Sequence, residues 1–216
     1  MYVNIIIPTC DRLESLKQTI KSIKESDYKK VFIFIVADGF IDGIKEFSDT
    51  QTTIIHNSER RDWVFSMNKA LKLIDGDYFI YAADDIYFQV DCISKAVEAM
   101  ERIFPSGDAL ISLKQRHKRS GGAFGLMGRK FVNRFPDKAA LCPDYVHFGA
   151  DKELRLFSER VELYHLCLAA IVDHNRALKD MTYELGMEVK ERDMRIKTIR
   201  RKRDLFWGES FERINE

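Results

Sequence analysis

Cysteine is scarce and unpaired in this sequence. Its four cysteines, Cys10, Cys92, Cys142 and Cys167, form no C-x-x-C step. That spacing argues against a disulfide framework or a cysteine-held zinc, and it suits a reducing cytosol. Net charge is nearly absent as well: 35 Lys and Arg face 34 Asp and Glu, a formal balance of +1. Global charge therefore gives no nucleic-acid signal, and only a local patch can supply one. No apolar stretch is long enough to cross a bilayer. The opening MYVNIIIPTCDR is apolar too briefly for a signal peptide and has no basic leader. The expected location is cytoplasmic, with peripheral attachment at a membrane left open. There is no internal repeat and no low-complexity linker, and 216 residues suit one good-sized domain with or without an appendage.

What is present is a regular alternation. YVNIIIP reads as a buried strand closed by Pro8, and Leu13, Leu16, Ile20 and Ile23 follow at helical spacing. VFIFIVAD is a second buried strand and TTIIHN a short third. Trp63, Met67, Ala70, Leu71 and Ile74 mark a helix that stops at DGD. YFIYAA is a fourth strand, and Ile93, Val97 and Met100 lie on a helix halted by PSGD. Continuous apolar strands alternating with helices mean an α/β fold, a mostly parallel sheet with helices on both faces. Ligands of such sheets bind beyond the carboxyl ends of the strands. Thr9, Asp11, Asp38, Asn57, Asp84 and Asp85 all fall there.

The rest of the chain is less regular. Residues 114–125, KQRHKRSGGAFG, are basic and then glycine-rich, and read as a loop able to close over a ligand. LMGRKFVNRF reads as a short helix, and LYHLCLAAIVDHN is an apolar run ending near His174. Beyond Thr182 the chain is charged and helical in propensity, with a basic stretch from Arg195 to Arg203. A solvated or packing face, an oligomerisation arm and an anionic-surface anchor are all open for that stretch.

Two adjacent aspartates at the end of an apolar strand require an explanation. Repulsion and desolvation oppose placing Asp84 beside Asp85 unless a cation sits with them. Mg²⁺ and Mn²⁺ prefer carboxylate and phosphate oxygen. Taken alone, the pair can equally start a helix. Asp38 before Gly39, and Asp151 after Gly149, are open in the same way between turn or cap and ligand contact.

Taken together, the segments resemble the inverting GT-A glycosyltransferases of family two. IIIPTCDRLESLKQTIKSI is similar to that family's strand, P-T-x-x-R and helix opening. VADGFIDG resembles its D-D-G-S-x-D segment, YAADDI its D-x-D-type strand end, and FGADKEL its E-D-x-E-L segment. The resemblance covers about residues 1 to 175. It implies a Rossmann-like nucleotide-diphospho-sugar transferase fold over residues 1–178, followed by a charged helical extension over 179–216. It also implies transfer of a sugar from a nucleotide-diphosphate donor, UDP-linked by preference, to an acceptor hydroxyl with inversion.

The resemblance assigns roles residue by residue. Thr9, Asp11, Arg12, Asp38, Asn68 and Asp84 would bind the nucleotide sugar. Asp84, Asp85 and His174 would hold Mn²⁺ or Mg²⁺, and Asp151 would be the general base. The acceptor would be a glycan, a lipid-linked saccharide or another hydroxyl compound, and the C-terminal helix could support a homo-oligomer. The sequence departs from the family pattern at Ala82 and Ala37, where acidic residues are usual, at Phe40 in a serine position, and at Met67 in an arginine position. These departures keep a non-catalytic nucleotide-sugar or carbohydrate-binding module as an alternative. A sugar nucleotidyltransferase is disfavoured because PTCDRLESL lacks the glycine-rich phosphate loop of that group. Glu153 and Glu159 read as surface charges, and His147 as a core-edge or surface histidine.

Overall fold

The fold is described from a computed structural model, for residues 1–118, 121–175 and 180–214. The expected domain boundary between 178 and 179 lies outside the described residues, as do Arg119 and Ser120 of the basic loop.

The first half follows the expected alternation. β1 (Val3–Thr9), β2 (Val31–Asp38), β3 (Thr52–Asn57) and β4 (Tyr78–Tyr81) are separated by α1 (Leu13–Lys24), a short 3₁₀ turn and α2 (Asp62–Leu73). β1 lies between β2 and β4 and is parallel to both, while β3 pairs in parallel with β2. The chain thus winds outward in opposite directions from β1, which creates the crevice where open α/β sheets bind ligands.

The second half is mixed. β5 (Ile86–Phe88), α3 (Cys92–Ile103), β6 (Leu110–Gln115), β7 (Gly125–Gly128), the single turn α4 (Arg129–Val132), α5 (Ala150–Arg160) and β8 (Tyr164–His174) complete the sheet in the order β3-β2-β1-β4-β7-β6-β8-β5. β7 runs antiparallel to both β4 and β6, and β5 antiparallel to β8. Among the described residues no crossover helix separates β6 from β7, and the two strands are antiparallel neighbours. β4 ends at Tyr81, which leaves Asp84 and Asp85 in a turn that leads into the short β5.

Strand alternation distributes the core over two faces. Val3, Ile5 and Ile7 join α1 and α3 through Leu16, Ile20, Ile93 and Met100. Ile6, Val36, Phe79 and Tyr81 face α2, α5 and the C-terminal residues through Met67, Leu71, Phe157, Ile196 and Trp207.

Ile196 and Trp207 belong to the C-terminal helix α6 (Met181–Lys202) and the turn after it. α6 is a packed element of the domain. Its Arg200 is fully buried and places Nε 3.0 Å from Glu153 Oε2 and Nη1 2.8 Å from Asp144 Oδ2. Glu153 is therefore not a surface charge. It is 5% exposed and also accepts from the Trp207 N–H and the Tyr145 hydroxyl, each at 2.8 Å. Long-range pairing of opposite charges allowed this burial, and a helix-by-helix charge count cannot reveal it.

Candidate active site

A cavity of about 320 Å³ opens at the carboxyl ends of β1, β2 and β4. Thr9, Arg12, Asp38, Asp84, Asp85, Asp151 and His174 line it. Seven of the nine residues expected at a binding or catalytic site are thus brought together.

The aspartate pair is built from both chain ends. Asp84 and Asp85 are 5% and 8% exposed. The Thr9 hydroxyl at the end of β1 donates to Asp84 Oδ2 at 2.7 Å, and Thr19 of α1 donates to the Asp84 carbonyl at 3.0 Å. Asn175 N–H donates to the Asp85 carbonyl, and His174 Nε2 stands 3.3 Å from Asp85 Oδ2. A guanidinium also lies against the pair. Arg12 Nη1 is 3.5 Å from Asp84 Oδ1 and 3.5 Å from Asp85 Oδ2. Arg12 is in turn forked onto Asp180 at the start of α6, through Nε at 2.8 Å and Nη2 at 2.7 Å. One guanidinium shared among three carboxylates leaves the pair short of positive charge. Burial, and then Asp85, push the Asp84 carboxyl up to about 6, against the opposing pull of Thr9 and Arg12.

That charge deficit is the observation against which a metal is tested. Two carboxylates with a nearby imidazole suit a hard divalent cation, and the buried His174 Nδ1 has no hydrogen-bond partner among the described residues. Among the described residues no three acidic, histidine or cysteine side chains converge closely enough to enclose an ion by themselves. The residues therefore fit as a partial ligand set, of the kind completed by phosphate oxygens and water.

Asp38 has a structural role beside any binding one. Its carboxylate accepts from Arg61 N–H and Asp62 N–H, both at 2.8 Å, and from Asn57 Nδ2 at 2.8 Å. It caps α2 from the end of β2, a capping interaction between elements distant in sequence. Asn68 does not reach the cavity. Its side chain exchanges two hydrogen bonds with the Leu141 backbone, at 2.8 and 3.1 Å. Asp11 is exposed, adopts φ 58°, and is not a wall of the cavity.

Asp151 sits in the first turn of α5, behind Gly149 at φ 102°. A side chain at 149 would be strained in that conformation, and its Cβ would press on Tyr145 at 3.1 Å. Burial raises the Asp151 carboxyl above the usual carboxylate range, with Lys118, Lys197 and His147 pulling the other way. A base poised nearer neutrality accepts a proton more readily.

Several walls were not legible in the sequence. Arg60 and Asp62 form a pair at the mouth of α2, Nη2 to Oδ1 2.6 Å, and Asp62 holds φ 63°. His147 lines the cavity beside Trp63, with ring centroids 6.5 Å apart, and burial lowers its basicity. ERRDW looks like an ordinary charged helix start, so composition carried no signal there. Arg129 is not a wall of the cavity: it donates to the Ile74 and Gly76 carbonyls and lies over the Phe79 ring.

Comparison with known proteins shows the family and the fold. The sequence profile of glycosyl transferase family 2 matches residues 4–135. A dolichyl N-acetyl-alpha-D-glucosaminyl phosphate 3-beta-D-2,3-diacetamido-2,3-dideoxy-beta-D-glucuronosyltransferase of Methanococcus voltae is 26% identical over 111 residues, covering 47% of this chain and 35% of that protein. The chain spans about a third of the length of the curated relatives it matches. Among solved structures, the mannosyltransferase PcManGT of Pyrobaculum calidifontis, in complex with GDP-Man and Mn²⁺, superposes with TM-score 0.65 at 16% identity, over 92% of this chain and 64% of that one. S. aureus TarS in complex with UDP superposes with TM-score 0.62 at 13% identity, over 80% and 60%. The fold is that of the GT-A glycosyltransferases.

Proposed function

Because the chain belongs to glycosyl transferase family 2, we propose that it transfers a sugar from a nucleoside-diphosphate donor to an acceptor hydroxyl with inversion. One observation carries this reading. The buried pair Asp84–Asp85 and the raised carboxyl of Asp151 face the same cavity at the switch point of the sheet.

Thr9 and Asp38 bound the end of the cavity next to β1 and β2, where the nucleoside is held. Asp84, Asp85 and His174 would hold Mn²⁺ or Mg²⁺, and a divalent ion there supplies positive charge against the departing diphosphate. Arg12 adds a fixed cation beside it. Asp151 accepts the proton of the acceptor hydroxyl while that oxygen attacks the anomeric carbon. The bond from the anomeric carbon to the diphosphate oxygen breaks on the opposite face, so the configuration inverts. Trp63 and Phe148 are apolar walls of the same cavity, of the kind that limits water beside reacting atoms.

A UDP-sugar is the first donor to test. PcManGT carries GDP-Man and TarS carries UDP, so both bases belong in the panel. A lipid-linked saccharide is the proposed acceptor class, after the name of the Methanococcus relative. No helix among the described residues is long and apolar enough to cross a membrane, and we propose a cytoplasmic protein that meets such an acceptor at the membrane face. We take residues 180–214 as part of the transferase domain rather than as an appendage.

The test is nucleoside-diphosphate release from UDP- and GDP-sugars with Mn²⁺ and with EDTA, alongside thermal shift by each nucleotide. Metal-dependent release from one donor supports the reading. A metal-dependent thermal shift without release supports the non-catalytic module instead, and no response to any nucleotide overturns both.

A further inference from the structure

We infer that Asp193, in the middle of α6, is a positioning residue for the catalytic turn that presents Asp151. The inference rests on Asp151 being the base. Asp193 is fully buried. Its carboxylate accepts three consecutive backbone N–H groups: Val146 at 3.0 Å, His147 at 2.7 Å and Phe148 at 2.7 Å. Successive N–H groups converging in this way make a concave anion-binding nest. Here the anion is a side chain from 45 residues or more along the chain.

The held segment is short and leads straight to the chemistry. His147, Phe148 and Gly149 line the cavity, and Asp151 follows two residues after Gly149. On the other side, the Val146 carbonyl accepts from Val64 N–H at 3.1 Å, which ties the same turn to the start of α2 beside Trp63. The turn is thus clamped between α2, which borders the nucleoside end, and α6. α6 itself is fixed by Ile196 and Arg200, both fully buried. Asp193 is not a wall of the cavity. It acts through the backbone that sets the direction of α5 and the reach of its first carboxylate.

An asparagine at this position keeps the shape but replaces one acceptor oxygen with a donor, which then faces a backbone N–H. The turn loses at least one of its three ties and gains a repulsive contact. A displacement of about 1 Å at a reacting group can cost on the order of 100-fold in rate.

The experiment compares Asp193→Asn, Asp151→Asn and Ile196→Val with the unaltered protein. The readouts are Mn²⁺-dependent nucleoside-diphosphate release from UDP-N-acetylglucosamine and GDP-mannose, and amide hydrogen exchange. Ile196→Val loosens α6 without touching the turn. For Asp193→Asn we expect kcat to fall about 10- to 100-fold with donor KM within about twofold. Exchange should quicken at 146–148 and at the start of α5. Ile196→Val should retain kcat. Three results overturn the proposal: an unchanged kcat in Asp193→Asn, an equal fall in Ile196→Val, or unchanged exchange at 146–148. Turnover by Asp151→Asn at the unaltered rate removes the base assignment and the proposal with it. A dead Asp151→Asn beside a fully active Asp193→Asn removes the proposal alone. If Asp193→Asn does not fold, Asp193→Glu keeps the charge and moves the carboxylate by one methylene, and the same readouts apply.

Discussion

Replacing Arg200 with methionine is expected to destabilise the whole domain, though residues 179–216 read in sequence as a charged helical extension. Methionine keeps most of the volume, so the loss is electrostatic. Arg200 is fully buried and serves Glu153, Asp144 and the Glu212 carbonyl. Asp144 would retain Arg213 and the Ile214 N–H. Among the described residues Glu153 would retain two neutral donors, Trp207 N–H and Tyr145 O–H. Removing one partner of a buried pair costs about 3–5 kcal/mol, and the residual partners place this case near 3. For a chain of this size each kcal/mol shifts Tm by about 2–4 °C, so a fall of about 6–12 °C is expected. Circular dichroism and calorimetry should still report one cooperative transition. The further change Glu153→Gln in the same variant should restore part of the loss, because it removes the orphaned charge. A Tm change below about 3 °C, or separate melting of a small C-terminal unit, would refute the reasoning and return the segment to an appendage.

Three other predictions concern the site, and a fourth concerns Asn68 outside it. Asp151→Asn should lower transfer by at least about 100-fold, the scale of a lost general base, without lowering Tm. The raised folded carboxyl binds its proton more tightly than the unfolded one. Its ionisation therefore costs stability as pH rises from the ordinary carboxylate range through the folded value, and asparagine removes that cost. By the same shift, the acid limb of donor turnover should lie above the range of a solvated aspartate and track the base form of Asp151; a limb near pH 4 would contradict this. Asp84→Asn should abolish the Mn²⁺-dependent part of any nucleotide-induced thermal shift, and persistence of that shift would move the metal elsewhere. Asn68→Ala should cost about 1–3 kcal/mol, read by denaturant unfolding, because it leaves the Leu141 backbone unpaired. Donor affinity should hardly change, and a large loss of nucleotide binding in that variant would reinstate Asn68 at the site.

The two ends of the cavity differed in how readily they could be found from sequence, for a physical reason. The end proposed to hold the nucleoside and the metal is made where strands stop. Its strand-end residues are flagged by a local event, an apolar run ending in a polar side chain, as at Thr9, Asp38 and Asp84. Period-two burial and strand-end chemistry are encoded over fewer than ten residues, so pattern reading finds them. The end beside Asp151 is held by pairings across long sequence separations. Asp193 holds residues 146–148, and Arg200 holds Glu153. Each of these acidic or basic residues sits in a charge-rich helix where composition reads as a solvated face. Local sequence cannot distinguish a buried charge with a distant partner from an exposed one, because the compensating group is fixed only by topology. The antiparallel placement of β7 was hidden in the same way, since strand direction depends on the connection rather than on the strand's own residues. The aspartate pair shows both effects at once. Its two charges were visible in sequence and so was Arg12, but that Arg12 lies against both of them while bound to Asp180 depends on where α6 docks. Changing Asp180 to Asn should therefore disturb metal-dependent nucleotide binding without removing any proposed ligand. If nucleotide and Mn²⁺ titrations of that variant match the unaltered protein, the coupling between α6 and the aspartate pair is geometric contact without energetic consequence.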